Sequence, residues 1–115
     1  MSAGIYEGRV NMTKYTSNYT WLESKFSKAM EAHQQFGIAL QEAGPIEGKT
    51  AQLIQLAGAA AVKSEGAVHS HVKRALAAGA QPGEIYHALL LLSSTIGFPA
   101  TAAAISWARE IIKGN

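Results

Sequence analysis

Glycine and proline cut this chain into short pieces, and within each piece apolar residues return every three or four positions. The breaks fall at Gly44-Pro45, at Gly79 with Pro82-Gly83 shortly after, and at Gly97-Phe98-Pro99. Proline removes a backbone donor and fixes φ, so a helix stops before it or begins on it. A three-and-four spacing between such stops predicts short amphipathic helices packed on one another. No alternating strand pattern and no Asn-Gly hairpin signal competes with it. The predicted fold is therefore all-α, a bundle of about five helices with short connections. The chain's 115 residues, 48% hydrophobic and 16% charged, suffice for one core and not for two.

Residues 1–19 hold Gly4, Gly8 and several Ser, Thr and Asn without sustained periodicity, and read as an arm ahead of a helical domain at 20–115. Thr20-Trp21-Leu22-Glu23 has the form of a capping box and predicts a long helix from Thr20 to Gly44. Its stripe, Leu22, Phe26, Met30, His33, Phe36 and Leu40, reads as core. Further helices are predicted from about Lys49 to Lys63, Glu65 to Ala78 with Gly79 as a left-handed cap, Pro82 onward, and Pro99 to about Ile112. The run Ala88 to Leu92 is apolar on every face, which predicts burial all round or across a subunit contact, and hence a homo-oligomer.

Composition excludes whole classes of chemistry. There is no cysteine, so disulfides, thiolate metal sites and thiol redox steps are ruled out. Ten Lys and Arg against eight Asp and Glu leave a net charge of +2, too little to favour nucleic acid. With no membrane-length apolar run and no leader-like N-terminus, the expectation is a cytoplasmic protein that does not engage membranes. The available reactive groups are histidines, carboxylates and hydroxyls, an inventory suited to acid-base work without a cofactor. His69 and His71 are two apart on a predicted helix and point about 200° apart, so they are not expected to share a metal ion. His71 lies on a stripe with Ser64, Ala67, Val68 and Ala75, which predicts a half-buried imidazole.

Several segments together resemble the carboxymuconolactone decarboxylase family, which includes the alkylhydroperoxidase D-like proteins. They are Lys49-Thr50-Ala51-Gln52-Leu53-Ile54, Ser64 to His71 continuing through Val72 to Ala80, Glu84-Ile85, and Leu89 to Leu92 with Gly97-Phe98-Pro99-Ala100. The resemblance runs from about Phe26 to Ile112 and implies an orthogonal bundle of about five to six helices of the alkylhydroperoxidase D-like type. The family's peroxidase branch uses a glutamate, a Cys-x-x-Cys pair and a histidine, whose positions fall here on Gln52, Ser64, Ala67 and His71. Only the histidine matches. Thiol peroxidase activity is therefore not expected, since neither serine nor alanine takes part in thiolate attack and disulfide formation.

The decarboxylase branch lacks the cysteines and keeps the histidine, often with acidic residues before it. That branch converts a carboxylated lactone to an enol lactone with loss of carbon dioxide, in the catabolism of aromatic acids. The resemblance thus implies a lyase or isomerase acting on a small carboxylated lactone or related acid, with His71 as acid-base group and Glu65 as its possible partner. Gln52 and Ser64 would bind substrate, although Gln52, an amide, stands where the family usually has an acid. The resemblance also implies a trimer or a hexamer built from trimers. The alternative is a non-catalytic oligomeric binding or scaffold member of the same family.

Overall fold

The computed structural model describes residues 12–112. Seven helical segments follow one another: α1 (Met12–Lys25), α2 (Ser27–Glu42), α3 (Gly48–Ala61), α4 (Glu65–Ala77), α5 (Pro82–Leu90), the single turn α6 (Ser93–Ile96) and α7 (Phe98–Ile111). None of the described residues forms a β-strand, and the all-α bundle expected from the sequence is observed. No helix among them is long and apolar enough to cross a membrane.

The core is made by α3, α4, α5 and α7. Leu56 of α3, Val68, Val72 and Ala75 of α4, Ile85 and Leu89 of α5, and Ala104, Ala108 and Ile111 of α7 are all fully buried. Small side chains at the crossings let these helices approach closely. Local signals set their ends. The Glu47 carboxylate accepts from the amides of Lys49 and Thr50 at 2.9 and 3.0 Å, and so caps α3. Ser64 Oγ accepts from Ala67 N at 3.2 Å and caps α4. Pro82 occupies the first turn of α5, where Glu84 Oε1 accepts from the Gln81 amide at 2.8 Å.

Helices α3 and α4 end in the same way. Ala80 N donates to Ala75 O at 2.9 Å around a left-handed Gly79, φ +101°. Ser64 N donates to Ala59 O at 3.1 Å around a left-handed Lys63, φ 59°. Both are six-to-one closures of the kind that glycine favours, and at Lys63 a side chain is carried into the left-handed region.

Three expectations for the first half of the chain need correction. The chain is already helical from Met12, inside the segment read as an arm, and Thr20 lies within α1 rather than at a cap. Residues 1–11 lie outside the described residues. The long helix is not continuous, because Phe26 has φ −132° and ψ 56° and divides α1 from α2. Backbone bonds still span the kink, from Phe26 N to Leu22 O at 2.8 Å and from Met30 N to Phe26 O at 2.9 Å. Just before it, Ser24 Oγ donates to Trp21 O at 2.8 Å, a serine back-bond of the type that bends helices.

The stripe read as core is not core within one chain. Phe26, His33, Phe36 and Leu40 are exposed, Leu22 and Met30 are half-buried, and α2 has no buried residue. Periodicity identifies an apolar face without specifying what covers it. In Ala88 to Leu92, Leu89 is fully buried but Leu90 and Leu91 are exposed, so of the two readings of this run, burial all round does not hold within one chain.

Candidate active site

A cleft of about 540 Å³ lies between α2 and the α3–α4 pair. His33, Phe36, Ile38 and Gln41 of α2 contribute to one wall, and Gln52, Gln55, His71 and Arg74 form the other. Gln41 Nε2 donates to Gln55 Oε1 at 3.0 Å across the two walls.

At the base of the α3–α4 wall, His71 Nδ1 lies 3.1 Å from Gln52 Oε1. Gln52 is buried and His71 half-buried, the latter as its helical stripe predicted. With the amide oxygen as acceptor, Nδ1 carries the hydrogen and Nε2 keeps its lone pair. Burial pushes the His71 pKa below the ordinary value of 6.5, and the positive charge of Arg74 pushes it further the same way. The resting imidazole is therefore neutral near pH 7, and Nε2 is its basic nitrogen. A carboxylate at position 52 would favour the imidazolium; the amide orients the ring without doing so.

Gln52 and His71 are thus brought together on the cleft. Ser64 and Glu65 are not among the residues lining it. The Ser64 hydroxyl accepts from Ala67 N as the cap of α4. Glu65 is placed beside His69, with Oε2 3.8 Å from Nε2, and the partner of His71 is Gln52. Helix geometry accounts for this, since residues 65 and 69 are one turn apart on α4 while 65 and 71 lie on different sides.

Arg74, three residues beyond His71 on α4, also lines the cleft. One feature escaped the sequence reading. His69 is only 2% exposed, and its Nε2 lies 3.0 Å from Oε1 of Glu110. That pairing joins α4 to α7 over a separation that no spacing rule reaches.

The imidazole beside residue 52, on a helical hairpin whose second helix ends at Gly79, agrees with the segment order that suggested a family. The profile described as "Carboxymuconolactone decarboxylase family" matches residues 25–110, most of the chain. No curated protein and no solved structure matches it significantly. Because the matched stretch takes in both walls of the cleft and nearly all of the buried core, the chain belongs to the carboxymuconolactone decarboxylase family.

Proposed function

We propose that this protein is a cofactor-free lyase or isomerase acting on a small carboxylated lactone or related acid, with His71 as the group that moves the proton. The observation that carries the reading is the half-buried His71, its pKa lowered by burial, held by Gln52 on a cleft that also presents Arg74. Arg74 supplies positive charge for a substrate carboxylate, and Phe36 and Ile38 of α2 offer apolar surface to the rest of the substrate. In isomerisation, Nε2 takes a proton from the carbon beside the lactone carbonyl and returns it at the conjugated position. In decarboxylation, the electrons of the broken C–C bond stay on the lactone framework as carbon dioxide leaves. One proton from solvent, carried in on the imidazole, takes the place of the lost carboxylate.

Gln52 serves by orienting the imidazole. Ser64 and Glu65 are assigned no proton transfer, the first being the α4 cap and the second lying beside His69. The exposed apolar side chains of α2, Phe36 and Leu40 among them, support a homo-oligomer as the working form.

The test is turnover of a panel of carboxylated five-membered lactones, followed by ultraviolet absorbance and carbon dioxide release. His71→Ala is expected to lower kcat by about 10²–10⁴-fold while circular dichroism stays unchanged. For the wild-type protein, kcat/KM for the proton-abstraction step should rise with pH through an inflection below 6.5, because only the neutral imidazole is a base. Gln52→Glu should move that inflection upward. Absence of turnover and of saturable binding across the panel would leave the non-catalytic alternative in place.

A further inference from the structure

A second cluster lies on α4 away from the cleft. His69 and His71 are two residues apart on one helix, so their side chains diverge by about 200° and His69 faces α7. Its Nε2 lies 3.0 Å from Glu110 Oε1 and 3.8 Å from Glu65 Oε2. The ligand atoms of all three residues fall within 4.8 Å of one another. From the convergence of a buried imidazole nitrogen with carboxylates from α4 and α7, we infer that Glu65, His69 and Glu110 form a binding site for a divalent first-row transition ion such as Zn²⁺, Mn²⁺ or Co²⁺.

Geometry supports this first. Donors held about 2.1 Å from a metal are separated by about 3.0 Å at a right angle and about 3.4 Å at a tetrahedral angle. The His69–Glu110 separation already fits, and Glu65 Oε2, 3.8 Å from His69 Nε2, has to move closer to share an ion. Its side chain is 49% exposed and that of Glu110 41%, so both carboxylates are able to adjust. His69 is 2% exposed, and a ring packed that tightly presents a preformed donor aimed at the two carboxylates. This buried nitrogen distinguishes the cluster from a group of surface acids.

Ligand chemistry supports it as well. One imidazole and two carboxylates suit zinc, manganese and cobalt better than the all-oxygen preferences of calcium and magnesium. Three protein donors leave coordination positions for water. The ion would pin the first turn of α4 to the last turn of α7, a cross-link in a chain that has no disulfide.

The experiment uses the full chain, freed of metal by chelation and of any affinity tag, titrated calorimetrically with ZnCl₂, MnCl₂ and CoCl₂. One ion per chain should bind at micromolar concentration or tighter, Co²⁺ should develop visible d–d bands, and the melting temperature should rise with added ion. Glu110→Gln keeps the shape of the side chain and should weaken binding by at least tenfold. Glu65→Gln should weaken it less. Melting curves of both variants without metal establish that each is folded. No binding at millimolar Zn²⁺, or binding unchanged in folded Glu110→Gln, would overturn the site and leave a hydrogen-bonded histidine–glutamate pair.

Discussion

Helices α2 and α4 carry apolar residues at the same spacing, yet they meet opposite fates. Helix α4 buries Val68, His69, Val72, Ala75 and Leu76, whereas α2 buries nothing. Their ends differ too, with Ser64 capping α4 by its hydroxyl and Phe26 offering α2 no side-chain cap. What separates the two helices is what each has to pack against. Helix α4 is enclosed by α3 and α7, while α2 lies over α1 and closes one side of a cleft. The candidate site therefore has one wall built from core helices and another built from a helix that the core does not hold.

That contrast is open to direct attack. The largest effect is expected from Leu56→Ala in α3, where loss of a fully buried side chain should cost about 2–5 kcal/mol in urea unfolding. A loss under about 1 kcal/mol would mean that the core side is not tightly packed. Ser64→Ala removes the α4 cap and should cost about 1 kcal/mol. If that variant instead lost turnover at full stability, Ser64 would belong to the substrate site after all.

Lys63→Gly relieves the left-handed residue between α3 and α4 and should raise stability by roughly 0.5–1 kcal/mol, read as a higher denaturation midpoint. Unchanged or lowered stability would show that the lysine side chain is favourably placed there. The smallest effect is expected on the α2 side. Phe36→Ala, at a side chain 62% exposed, should change monomer stability by less than about 0.5 kcal/mol in dilute solution. Sedimentation velocity at higher concentration should show weakened self-association in the same variant, and a core-sized loss in the monomer would erase the contrast between the walls.

The parts of the fold that the sequence announced are those governed by local chemistry. Pro82 at the start of α5, Gly79 after α4 and Gly97-Phe98-Pro99 before α7 act through φ and missing donors, so those boundaries fell within a residue or two. The kink at Phe26 and the left-handed Lys63 carry no such signature, and neither was expected. Thr20 to Glu23 matched a capping box that the chain does not use, because helix propagation from Met12 runs through it. At the site, the half-burial of His71 followed from its stripe, while its bond to Gln52 depends on how α3 crosses α4. The pairing of His69 with Glu110 is tertiary, and a reading confined to neighbours along the chain had no access to it.

The amide and imidazole that face each other across 3.1 Å belong to consecutive helices joined by one tight turn. Such a hairpin has low contact order, because the contacting residues are close along the chain. The Gln52–His71 pair is in this sense portable: it travels as one contiguous module. Variation in what the cleft accepts then falls to the opposing helix, which is free to change its side chains without disturbing the Gln52–His71 pair.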